Sequence, residues 1–291
     1  MRVAVIGAGL AGLTAARQLA ADHDVVVVDK GRSVGGRMAT RRIGAARLDH
    51  GAQFFTTRDE AFGAQVADWH DRGLVHVWCH GFGDRDGHPR YIGSEGMNSL
   101  AKDLAADLAP GEDLHLATRI FDVARPDDRW RINVDDGSHH EADALILTCP
   151  IAQTWAMVAP AGYESAPEAL WRTRYHPVVG LLVVLDRPSA VPDPGGVQFD
   201  PADPDAPFGF VGDNQRKGIS PVPAVTFHAT QPWSLVHWDD DTRLLQTELL
   251  DRAAPWIGDA RVIEAQVKKW RFAAPVDPCL LYTSPSPRDR S

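Results

Sequence analysis

The sequence predicts an α/β fold in which a parallel-sheet domain carries an inserted antiparallel-sheet domain. Three observations support that expectation. Val3-Ala4-Val5-Ile6 and Val25 to Val28 are short runs with no polar residue, as in strands buried on both faces of a parallel sheet. Between them Leu10, Leu13, Ala16 and Ala20 recur three to four residues apart, the spacing of a helix with one apolar face. After Pro150 the texture changes, and Val178 to Leu185 and Ala224 to Ala229 read as strands of another sheet.

The first thirty residues thus make one strand–helix–strand unit. Met97, Leu100, Ala101, Leu104 and Leu108 predict a second helix, ended by Pro110 and Gly111. Trp130, Ile132 and Val134 alternate with polar residues, and Asp136-Gly137 supplies a hairpin turn. Ala144 to Leu147 is apolar throughout, so it belongs with the first strand in one sheet. Six prolines from Pro188 to Pro207 mark a long surface loop. Leu245, Leu249 and Ala253 define one face of a helix over Thr242 to Trp256, and a last strand covers Arg261 to Phe272. The expected division is 1–60 with 91–150 in the first domain, and 61–90 with 151–272 in the second. Residues 279–291 are rich in Ser, Pro and Arg and resemble translated sequencing-adaptor sequence. The expectation is a non-native tail on a chain whose natural C-terminus is missing.

Composition narrows the function. A chain of 291 residues with 44% hydrophobic and 24% charged residues suits a globular protein of two domains or one large one. A formal charge of −9 argues against a general nucleic-acid binder. Cys79, Cys149 and Cys279 fit neither a zinc pattern nor a C-x-x-C pair, so no metal site is expected. Sparse cysteines suit a reducing compartment, and no signal peptide or membrane-length apolar run is visible. The expected location is cytoplasmic, with no membrane partner.

Gly7, Gly9 and Gly12 form G-x-G-x-x-G directly after a strand and at the opening of a helix. Gly7 permits the tight turn, Gly9 lets the backbone approach a pyrophosphate, and Gly12 lets helix and strand pack closely. The helix N-terminus offers unpaired N–H groups to phosphate. Asp29, with Lys30 beside it, ends the second strand, placed to accept the adenosine ribose hydroxyls. Such a charged hydrogen bond contributes roughly 1.5–3 kcal/mol. A Rossmann-type domain for FAD or NAD(P) follows.

Gly35-Gly36-Arg37 favours FAD over NAD. A glycine pair lets a second backbone segment pass close to the dinucleotide, and Arg37 can pair with its pyrophosphate. Arg41, Arg42 and Arg47 read more simply as a solvated basic loop.

Asp29 followed by Gly35-Gly36-Arg37 resembles the glutathione-reductase-type FAD superfamily in its amine-oxidase branch, which more often has glutamate at the position of Asp29. "LDHGAQFFT" from Leu48 resembles the renalase family specifically. So do "YIGSEGMNSLAKDLA" from Tyr91, "FVGDNQRKG" from Phe210, "VTFHATQPWS" from Val225 and "KKWRFAAPV" from Lys268. The resemblance implies that Gly51, Ala52 and Gln53 lie beside the flavin ring and that Ala11 and Met38 touch the cofactor. It implies that the Ile120 backbone lies near the adenine, and that the second domain is an antiparallel sheet building the substrate pocket. The family's later glycine-aspartate motif and closing helix find no counterpart before the odd tail.

The reaction implied is a flavin-mediated two-electron oxidation with dioxygen as acceptor, acting on isomeric reduced nicotinamide dinucleotides. A flavin amine oxidase, an NAD-dependent dehydrogenase and a fragment unable to retain FAD remain open as alternatives. A dinucleotide substrate would want basic groups, for which Arg216 and Lys217 are candidates. His228, Trp233 and Trp270 are candidates for either pocket or core. No catalytic side chain is singled out.

Overall fold

The computed structural model describes residues 1–82, 87–162, 172–201, 203 and 205–276. The strands in chain order begin with β1 (Arg2–Ile6), β2 (Asp24–Val28), β3 (Thr40–Ile43), β4 (Ala46–Asp49), β5 (Val75–Cys79), β6 (Arg90–Gly93), β7 (Leu114–His115) and β8 (Ile120–Ala124). They continue with β9 (Trp130–Val134), β10 (His139–Ala142), β11 (Ala144–Leu147), β12 (Tyr175–Leu185), β13 (Gly196–Gln198), β14 (Phe210–Asp213), β15 (Ala224–His228) and β16 (Val262–Pro275). The helices are α1 (Leu10–Leu19), α2 (Glu60–Asp71), α3 (Asn98–Leu104), α4 (Ile151–Val158), α5 (Gln231–Val236) and α6 (Thr242–Ile257). The described residues form two compact units, one from Met1–Gly36, Leu104–His176 and 272–276, the other from Arg37–Asp103 and Pro177–Arg271.

The first unit contains a four-stranded sheet in the order β11–β1–β2–β7. β1 pairs in parallel with both β2 and β11, with Ile6 opposite Val28 on one side and Leu147 on the other. The all-apolar runs are therefore central strands, and Ala144–Leu147 joins the first strand's sheet as its composition predicts. α1 buries Leu13 and Ala16 completely. An antiparallel sheet β10–β9–β8 adds Ile132 and Ala142 to a core with Ala4, Ile6, Val26 and Val28.

The second predicted helix is shorter than its apolar period. α3 stops at Leu104, and Leu108 N–H donates to the Ala105 carbonyl in a tighter turn. The Ala109 carbonyl then accepts from Glu112, Asp113 and Leu114, while Ala109 N–H donates to the Asp113 carboxylate. A compact loop takes over the polar groups that another helical turn would have paired.

The second unit is built on a five-stranded sheet in the order β13–β14–β15–β12–β16. β15 pairs antiparallel with β12 and β14, placing Phe227 opposite Leu181 and Val211. α6 lays Leu245, Leu249 and Ala253 on the core formed by Val179, Leu181 and Val183. The β3–β4 hairpin packs Ile43, Ala46 and Leu48 against Leu182 and Ala224. The proline-rich stretch is not loop throughout, because Gly196–Gln198 forms β13 at the sheet edge. Proline cannot donate to a ladder, so a short edge strand between prolines is what the composition permits. Among the described residues no helix is long and apolar enough to cross a membrane. The expected tail at 279–291 lies outside the described residues.

Candidate cofactor site

In the first unit the three glycines of the turn after β1 answer to different neighbours. Gly7 has φ +114°, a region that side chains rarely adopt. A Cβ on Gly12 would overlap the Gly7 carbonyl oxygen, so helix and turn can approach only there with glycine. Thr148 secures the same turn, its hydroxyl lying 3.0 Å from the Ile6 carbonyl and 3.2 Å from that of Gly7. Gly9 is different, because a Cβ on it would meet nothing within 4 Å. Protein packing does not require glycine at position 9, and the space over it is open. That opening, at the N-terminus of α1 with Leu10 and Ala11 exposed beside it, fits a phosphate-bearing group.

The glycine pair lies against the glycine turn. Gly35 N–H donates to the Ala8 carbonyl at 2.8 Å, and Gly35 bridges Gly9. A Cβ on Gly36, whose φ is +51°, would come within 3.4 Å of the Gly9 Cα. A second backbone segment therefore runs directly along the glycine turn. Asp29 Oδ2 accepts from Ala8 N–H and Oδ1 from Gly31 N–H, each at 2.6 Å. A carboxylate has about four acceptor sites, so two remain open to further donors. Lys30 is exposed next to it. The approach to Ile120 runs beside Asp29, because Thr118 N–H donates to the Asp29 carbonyl at 2.9 Å and Ala117 N–H to the Gly31 carbonyl at 2.8 Å. Ile120 itself opens β8 and packs its side chain on the core. Burial, and then Asp29, push the nearby Cys149 thiol up to about 11, an inert protonated thiol.

In the second unit the segment from Arg37 to Gln53 folds back on itself. Ala52 N–H donates to the Arg37 carbonyl at 2.8 Å, and a Cβ on Gly51 would overlap that same oxygen. Arg37 and Ala52 are exposed, whereas Met38 and Gln53 are buried. The main chain leading into Gly51 is held by side chains from distant strands. The Asp49 carbonyl accepts from Thr226 Oγ1 at 2.9 Å and Gln53 Nε2 at 2.7 Å, and Asp49 N–H donates to Asn214 Oδ1 at 3.1 Å. The His50 carbonyl accepts from Trp270 Nε1 at 2.6 Å and lies 3.2 Å from His228 Nε2. A carbonyl only accepts, so the His228 proton resides on Nε2.

The electrostatics of this region are those of a dry interior. The Asp49 carboxylate accepts from Thr40 Oγ1 at 2.6 Å, Met97 N–H at 2.9 Å and Lys217 Nζ at 3.0 Å. The side chains of Asp49 and Lys217 are both 0% exposed. Burial pulls the Lys217 ammonium below the ordinary lysine range, and Asp49 opposes that fall. Burial also lowers His228 to about 4, and lowers His50 to about 4 with help from Lys268, His228 and Arg41.

Arg216 and Lys217 are thus not the open basic pair the sequence suggests. Lys217 is consumed by Asp49, and Arg216 pairs with Asp193. Trp233 stacks on His237 at 4.3 Å and donates to Glu248, whereas Trp270 stacks on His50 at 5.2 Å. Sequence reasoning overlooks Asp49, Asn214, Thr226 and Thr148. The available signal is polar side chains inside apolar strands, as in "RLDHG" and "AVTFH", because a buried polar group must find a partner.

Comparison with known proteins agrees with this architecture. Residues 62–246 match the model of the flavin containing amine oxidoreductase family, and residues 5–75 match an NAD(P)-binding Rossmann-like domain. Renalase of Mus musculus is 22% identical over 299 residues, spanning 94% of this chain and 84% of the mouse protein. Wild-type putrescine oxidase bound to putrescine has the same fold, with a TM-score of 0.67 at 15% identity over 99% of this chain and 92% of that one. Reduced UDP-galactopyranose mutase gives a TM-score of 0.70 at 12% identity over 94% of this chain and 84% of its own. A family match covering more than half of the chain, joined to a nucleotide-type glycine turn whose middle glycine opens on free space, leads to one conclusion: the chain belongs to the flavin containing amine oxidoreductase family and is an FAD-dependent oxidoreductase.

Proposed function

We propose that this oxidoreductase oxidises an isomeric reduced nicotinamide dinucleotide and delivers the electrons to dioxygen, releasing hydrogen peroxide. The observation that supports this substrate class is the likeness to renalase along 94% of the chain. FAD, when bound, supplies the two-electron acceptor. The protein's part is to hold the cofactor, orient the substrate C–H and exclude water. Gly7 and Gly12 shape the turn, Gly9 receives the pyrophosphate, Ala11 touches the cofactor, and Asp29 with Lys30 and the Ile120 backbone serves the adenosine end. Gly36 brings up the second backbone segment, and Arg37 pairs with phosphate. Gly51, Ala52 and Gln53 lie beside the flavin ring, and Met38 touches the cofactor.

In this reading 1–60 and 91–150 serve the cofactor, while 61–90 and 151–272 serve the substrate, in the cytoplasm. Oxidation of an amine is the second reading, favoured by the family match over residues 62–246. One experiment separates them. The purified protein, loaded with FAD, is titrated under nitrogen with isomeric reduced nicotinamide dinucleotides, with the ordinary reduced form and with putrescine. Bleaching of the yellow flavin by the isomers alone is the expected result. Bleaching by putrescine selects the amine reading, and a protein that stays colourless with excess FAD removes both.

A further inference from the structure

A lysine with no exposure is costly, because burial removes the hydration of its ammonium. Lys217 nevertheless sits with its side chain 0% exposed, 3.0 Å from a carboxylate that is equally buried. Ion pairs of this kind add little net stability over apolar replacements, so their persistence directs attention to geometry. The geometry here is specific. Lys217 Nζ lies 3.4 Å from Gln53 Oε1 as well as 3.0 Å from Asp49 Oδ2, and 5.2 Å from the centre of the Trp78 ring. Since an ammonium only donates, it fixes which end of the Gln53 amide carries oxygen. The other end, Nε2, must then point at carbonyls, and it donates to Asp49 at 2.7 Å and Gly51 at 3.1 Å. Asp49 is in turn held by Thr40 and by Met97 N–H.

We propose that Lys217 is a positioning residue: with Asp49 as its buried counterion it sets the orientation of the Gln53 amide, and through that amide it fixes the Gly51 and Gln53 main chain against the flavin ring. The proposal rests on the reading that Gly51 to Gln53 lie beside the flavin. Lys217 touches neither cofactor nor substrate in this scheme. Its influence travels along one amide, and a role confined to stability would leave the flavin's redox behaviour alone.

The test is a double-mutant cycle on the FAD-loaded full chain, read as the flavin midpoint potential. Lys217→Met is combined with Asp49→Asn, so that no buried charge is left alone. The expected result is at least a tenfold change in the ratio of affinities for reduced and oxidised flavin, about 30 mV for a two-electron couple. The same change should vanish in a Gln53→Leu background, since residues acting in series are not additive. An unchanged potential in the folded, FAD-loaded pair variant overturns the proposal, as does an equal shift with and without Gln53. Should the pair variant fail to fold, Lys217→Arg, which keeps a cation beside Asp49 but changes the donor offered to the Gln53 amide, carries the same expectation and the same refutation. If Gln53→Leu alone leaves potential and flavin spectrum untouched, both this proposal and the placement of the segment beside the flavin fall. A shift from Gln53→Leu without one from the pair variant rejects Lys217 and spares the placement.

Discussion

The indole Nε1 of Trp270 donates to the main-chain carbonyl of His50 at 2.6 Å. The two residues also stack, with ring centroids 5.2 Å apart. One side chain therefore fixes both the backbone and the ring of the residue preceding Gly51. Trp270→Phe should keep most of the stacking and lose the hydrogen bond. His228 Nε2 lies 3.2 Å from the same carbonyl, so that oxygen is not orphaned. The expected loss is about 1 kcal/mol, the net value of one hydrogen bond, measured as a shift in the urea midpoint. A loss of several kcal/mol would mean that His228 does not donate.

Acid should weaken the second unit. Burial lowers His228 and His50 to about 4. An imidazole that titrates near 6.5 when unfolded then binds its proton more readily in the unfolded chain. The stability is fully present above pH 6.5 and is lost as pH falls toward 4, on the order of 3 kcal/mol for each imidazole. Urea midpoints between pH 7.5 and 4.5 measure it. His228→Gln, which retains a donor but not the titration, should flatten the slope in that window.

The glycines of the turn should separate folding from cofactor binding. A Cβ on Gly12 would overlap the Gly7 carbonyl, whereas one on Gly9 meets nothing within 4 Å. Gly12→Ala should therefore lower the melting temperature strongly. Gly9→Val should melt near the parent apoprotein yet bind FAD at least a hundredfold more weakly, about 2.7 kcal/mol. Normal flavin content in Gly9→Val contradicts the pyrophosphate placement.

Asp29 has two functions that substitution can divide. Its carboxylate accepts from Ala8 and Gly31 N–H groups at 2.6 Å each. Asp29→Ala strands both donors and should cost roughly 2–4 kcal/mol, one to two unmade bonds to a charged acceptor. Asp29→Asn can still accept one of them, so it should recover part of that stability while FAD affinity stays below the parent value. Calorimetric melting and flavin titration on the same samples check both halves.

Arg37 is exposed, so salt in the solvent reaches its guanidinium. Arg37→Ala should raise the FAD dissociation constant, with a smaller effect at high salt because salt screens an exposed charge pair. Equal affinity in both proteins at low salt argues against a phosphate contact.

The sequence by itself determined whatever rests on short-range pattern. The βαβ unit, the Ala144 to Leu147 strand and the helix carrying Leu245, Leu249 and Ala253 follow from apolar periodicity, which is local. The glycine turn and the Gly35-Gly36 segment were legible for the same reason, since a backbone that must turn tightly or pass close to another leaves glycine in the sequence. The end of α3 was not legible, because a loop's polar pairing outcompeted a helical period that continues to Leu108. Only the tertiary structure decided the fate of the charges. Asp49 and Lys217 are 168 residues apart, and nothing in either's neighbourhood names the other. Their union depends on which strands pair and on how much water is excluded between them. The cost of an unpaired buried charge exists only once the fold has made an interior.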